Sequence, residues 1–109
     1  MYCVVLHFSV TVVNKLIWND WNQDHIAGHD VTKDEVEEVC QGKYIALDGH
    51  HGRFIIVGMT QAKRVLAVVI DPETEPGVYY PVTARPADRQ ERRLFYSEKG
   101  GEETHDKAA

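Results

Sequence analysis

Hydrophobic positions change their period at Gly42, and the change divides the chain into a helical first part and a strand-rich second part that closes on a further helical stretch. Asn19-Asp20 can cap a short helix running to about Gly28, on which Trp21, His25, His29 and Ile26 share one arc. The next helix has the strongest signals. Thr32 and Glu35 have capping-box spacing, Val31 and Val36 form a hydrophobic staple, Val39 and Cys40 continue the apolar face, and Gly42 supplies the stop. Beyond Gly42 the period shortens to that of strands, at 44–48, 53–59, 65–71 and 78–83. The turns between them are Gly49-His50-His51-Gly52 and 61–64. Near-continuous apolar runs at 54–57 and 65–70 predict central strands, while Pro81 donates no ladder bond and predicts an edge or a bulge. The pattern turns helical again over 87–97, with Pro86 suited to the first helical position and Arg85 held at the strand-to-helix junction.

The order of two helices, four strands and one helix predicts an α+β fold with a four-stranded, mainly antiparallel sheet. One domain over 14–98 is expected, with a charged, non-periodic tail at 99–109 expected to be disordered. Residues 1–13 form an apolar lead of β-branched and aromatic type, either an additional edge strand or the product of an upstream start codon.

Composition narrows the function classes. A formal net charge of -5 excludes a protein that coats nucleic acid through a uniformly basic surface. The charge is uneven, however, because the acidic run from Asp20 to Asp48 is interspersed with few cations and arginines appear only from Arg53 onward. A local basic site on an acidic body is therefore expected. Cys3 and Cys40 are far apart and form no CxxC pair, so buried, reduced thiols are expected rather than a disulfide framework. No apolar run approaches the roughly 20 residues that span a bilayer, and the start lacks a basic n-region. No membrane partner is expected, and the location is expected to be cytoplasmic.

The one dense basic segment lies at 85–93. Arg85 beside a helix start meets the requirements of an anion ligand, since a guanidinium fork matches phosphate oxygens and stays charged at any cellular pH. Helical spacing places Arg89, Arg92 and Tyr96 in one stripe, with Ala87 and Leu94 opposite. Glu91 either acts as a base or orients Arg89 and Arg92 through ion pairs. His25 and His29, four residues apart, are either a titratable pair able to move protons or hydrogen-bonded core residues. Neither His50-His51 nor any other group completes a metal-ligand frame, so no metal and no cofactor are expected.

The run Thr83-Ala84-Arg85-Pro86-Ala87 with Glu91-Arg92 and Tyr96 resembles the C-terminal signature of the BrnT-type toxins, small RelE-like ribonucleases of bacterial toxin-antitoxin pairs. A second block is similar to that family's two-helix opening: Ile17-Trp18, Trp21-Asn22, His25-Ile26, His29, Val31-Thr32 and Glu35 through Val39. The resemblance implies a RelE-like fold, a metal-independent endoribonuclease and two partners, RNA and a cognate antitoxin. Such cleavage needs a base near the 2′-hydroxyl, an acid near the leaving oxygen and fixed positive charge at the phosphate. Arg85, His25, His29 and Glu91 are the catalytic candidates this implies, and Arg53, Arg89, Arg92 and Tyr96 the RNA-binding ones. The alternative is a non-catalytic RNA- or protein-binding module on the same scaffold.

Overall fold

The computed structural model describes residues 12–98. Among the described residues five strands form one mixed sheet: β1 (Lys15–Leu16), β2 (Tyr44–Asp48), β3 (Phe54–Met59), β4 (Val65–Pro72) and β5 (Val78–Pro86), in the spatial order β1-β5-β4-β3-β2. Three α-helices accompany it, α1 (Asp20–Ala27), α2 (Lys33–Gln41) and α3 (Arg89–Glu98). The α+β class is as the hydrophobic pattern implies, and the apolar runs of β3 and β4 lie inside the sheet. The expected four strands are corrected to five. β1 is two residues long and pairs parallel with β5, Lys15 opposite Val78 and Leu16 opposite Tyr79, which makes the sheet mixed. Two residues carry no detectable period, so this strand is invisible to pattern reading.

Strand alternation sorts the core into two layers. Leu16, Ala46, Ile56, Leu66, Val68, Ile70 and Ala84 point to the face covered by α1 and α2, where Ile26, Val31, Val36, Val39 and Cys40 meet them. Ile45, Leu47, Val57, Val65 and Ala67 point to the other face, where α3 supplies Phe95 with Leu94 and Tyr96 at the margin. Each helix starts from a reciprocal cap. Asn19 and Asn22 exchange side chain-to-backbone bonds at α1, and Thr32 and Glu35 do so at α2. Asn22 is fully buried, and its amide also donates to the carbonyls of Ile17 and Pro81, fastening α1 to β5.

Several local expectations are corrected. Pro86 ends β5 instead of opening α3, because the Ala87 N–H still bonds the Val65 carbonyl at 2.9 Å. Of the edge or bulge expected at Pro81, the bulge is what forms: Pro81 lies in interior strand β5 opposite Ile70, next to the register shift at Val69/Ile70. That bulge is where a missing ladder donor is tolerated. Ile26 does not share an arc with Trp21, His25 and His29: Asn22 and Ile26 form the buried stripe of α1, and the other three are exposed. His50–Gly52 is a short 3-10 turn with His51 at φ 60°. The Gly77 φ of +84° places its backbone against Asn14, so that the Gly77 carbonyl receives the Asn14 N–H at 2.8 Å and leads the chain into β1. Residues 1–11 of the apolar lead and the tail from 99 onward lie outside the described residues. Val13 belongs to the fold, packing at the margin of the first core layer and donating its N–H to the Tyr44 hydroxyl at 3.3 Å.

Candidate polyanion-binding edge

Arg85 lies opposite Ala67 in the β4–β5 ladder and therefore shares Ala67's face of the sheet, the face that α3 covers. Its guanidinium is clamped. Nη1 and Nη2 donate to the two oxygens of Glu91 at 2.7 and 2.8 Å. Glu91 itself is fully buried in the first turn of α3. Oε1 also accepts the Asp88 N–H at 2.8 Å while Asp88 accepts the Glu91 N–H at 2.8 Å, which completes a capping box one residue before the helix begins. One carboxylate thus closes the helix start and neutralises the arginine that ends β5. The expected partners of Glu91, Arg89 and Arg92, are corrected to Arg85: Glu91 lies on the buried stripe with Phe95, and both of those arginines are exposed.

The same device recurs at α2. Arg64, immediately before β4, donates from Nη1 to both oxygens of Glu35 at 3.0 Å, and Glu35 is the capping-box residue of that helix. Arg64 also lies 3.9 Å from Asp30. Val65, next to Arg64, accepts the N–H of Ala87, so the starts of α2 and α3 reach the same end of the sheet from opposite faces. Their positive dipole ends are directed there together. The other glutamates of α2 are also engaged: Glu37 accepts the Trp18 indole N–H at 2.8 Å and Glu38 accepts the Gln61 N–H at 3.0 Å. Sequence reading takes Lys63-Arg64 as a plain charged turn and so misses Arg64. The signal present was Glu35, an acidic capping residue for which helical spacing offered no cation.

Arg89, Arg92 and Arg93 on α3 and Lys63 in the β3–β4 turn are exposed, and none forms an ion pair among the described residues. Three of these four cations lie on the exposed side of α3, the helix that carries Glu91 of the clamped unit. Tyr96 leaves the predicted arginine stripe, being half-buried and edge-on to Phe95 at 5.4 Å between ring centroids. Arg53 is not brought to this edge. It lies 3.7 Å from Asp71 before the start of β3, about 13 Å along the strand direction from Val57 and the Arg85 level.

His25 on α1 and His29 in the turn that follows it are exposed, and α1 packs on the opposite face of the sheet from Arg85. The reading of them as core residues is corrected, and they are not brought together with Arg85 and Glu91, the other two catalytic candidates. Trp21 stacks on His25 at 4.9 Å and 8°, and His29 meets His25 edge-on at 5.6 Å. Among the described residues, no group of three or more His, Cys, Asp or Glu is arranged to hold a metal ion. No helix among them is long and apolar enough to cross a membrane. Cys40 is buried beneath α2, and desolvation together with nearby Glu37 pushes its thiol up to about 12, far from the thiolate a nucleophile requires.

No protein-family model matches the chain, and neither the curated proteins nor the solved structures contain a match to it.

Proposed function

We propose that this chain is the toxin half of a toxin-antitoxin pair of the BrnT type, a metal-independent endoribonuclease whose α3 arginine face binds the RNA backbone. The observation that carries this reading is the Arg85–Glu91–Asp88 unit, built on the buried Glu91 carboxylate, which fixes the start of α3 and leaves Arg89, Arg92 and Arg93 facing solvent on a chain of net charge -5. Local positive charge on an acidic protein localises RNA at one edge instead of coating the surface. Arg85 acts as the positioning residue of that edge, and the exposed guanidiniums supply the contacts to phosphate. The antitoxin would hold the protein inactive by covering this edge.

One observation favours the second reading, binding without cleavage: Arg85 is already neutralised by Glu91, and the imidazoles of α1 lie across the sheet. Incubating purified protein with a single-stranded RNA in EDTA separates the two. Chelator-resistant cleavage supports the ribonuclease, retention of intact RNA supports the binding module, and absence of both refutes the RNA reading.

A further inference from the structure

Trp21 is 57% exposed, and Val12 is the other large hydrophobic residue exposed among those described. Its position is built rather than accidental. The reciprocal Asn19–Asn22 cap closes the helix start, buried Asn22 ties the helix to β5, and the His25 ring lies flat against the indole. His29, in the turn that follows the helix, extends the strip, its ring 5.6 Å from that of His25, so three rings form one continuous strip on the solvent side of α1 and its C-terminal turn. Exposed carboxylates border them: Asp20 and Asp24 on the same helix and Asp30 just beyond it, with its side chain fully exposed.

We infer that the Trp21–His25–His29 strip is a docking surface for a cationic, amphipathic segment of a partner protein. Guanidiniums stack on aromatic faces and pair with neighbouring carboxylates, and Trp and Arg are both enriched among the residues that anchor protein interfaces. The same carboxylates repel phosphate, which disfavours a nucleic-acid strand on this face. The strip lies across the sheet from α3, so a partner seated here leaves the arginine edge open. This inference stands on α1 and the turn that follows it and does not depend on RNA binding or cleavage.

The test titrates the isotope-labelled full chain with a synthetic amphipathic peptide carrying Leu and Arg at helical spacing, and separately with oligouridylate. The peptide should shift the Trp21 indole and the His25 and His29 ring signals. Trp21→Ala should weaken it by about tenfold or more while the melting temperature holds, Trp21→Phe should keep most of the affinity, and Asp24→Lys should weaken it. Absence of peptide binding overturns the inference, as does equal affinity for Trp21→Ala or shifts that map away from α1. Oligouridylate shifting the Trp21 indole more strongly than the peptide also overturns it, by making the strip a base-stacking platform.

Discussion

Replacing Arg85 by Ala removes a guanidinium whose two bonds, at 2.7 and 2.8 Å, are the side-chain partners of a carboxylate with no solvent exposure. Breaking a fully buried pair from one side costs about 3–5 kcal/mol, because the remaining charge stays desolvated. The Arg85 side chain is 38% exposed, so water can enter the vacated space. The Asp88 N–H still reaches Glu91. Both facts reduce the expected loss to about 2–4 kcal/mol. For a domain of this size that lowers the melting temperature by roughly 10–25 °C. Glu91→Gln keeps an oxygen for the cap and leaves Arg85 free to hydrate, so it should cost about 1–2 kcal/mol. The double variant buries no lone charge, and its loss should fall short of the sum of the single losses by about 1 kcal/mol or more. Urea unfolding followed by circular dichroism measures all four proteins. Additive losses, or an Arg85→Ala protein as stable as wild type, would refute the brace and return Arg85 to the ligands that wait for phosphate.

Asn22→Leu should destabilise by about 2–4 kcal/mol, because it leaves the Ile17 and Pro81 carbonyls and the Asn19 N–H without their side-chain partner; thermal melting reads the loss, and an unchanged midpoint would contradict it. Cys40 should resist alkylation at pH 8 in the folded protein and react on denaturation. Its folded pKa is raised to about 12 from an ordinary 9.0 by burial, so its contribution to stability is complete below pH 9 and is lost as pH rises from 9 toward 12, at roughly 1 kcal/mol per pH unit; a flat alkaline stability profile would count against this. If RNA binds at α3, replacing Arg89, Arg92 and Arg93 by Glu should flatten the logarithmic salt dependence of single-strand binding by about 2, from roughly 0.7 per phosphate contact, and an unaltered slope would place the RNA elsewhere.

Much of this architecture was legible because local signals and tertiary packing agree. α2 begins where Thr32 and Glu35 predicted, since the capping box and the staple both require that start. β3 and β4 announced themselves as interior strands through apolar runs that both faces of the sheet bury. β1 stayed hidden because it is held by the Gly77 turn and the flank of β5 and has no periodicity of its own. The reciprocal Asn19–Asn22 cap was half visible: Asn19 is a common capping residue, but the buried role of Asn22 depends on Pro81, 59 residues away. The candidate site was legible in location and illegible in wiring. Helical spacing assigned Glu91 to Arg89 and Arg92, whereas its partner comes from the preceding strand across a turn, where only the register places it. Arg64 escaped for the same reason, its glutamate lying 29 residues earlier.

Controlled expression in a bacterial host, with growth and total RNA integrity followed together, tests the proposed activity most directly. The informative comparison is the wild-type chain against Arg89→Glu/Arg92→Glu/Arg93→Glu, whose replacements are all at exposed positions and spare the Arg85–Glu91 pair. Wild type should stop growth as RNA fragments accumulate, and the triple variant, equally soluble and with the same melting temperature, should do neither. Unimpaired growth with intact RNA on wild-type expression, or equal toxicity from the triple variant, would contradict a ribonuclease working through the α3 arginines.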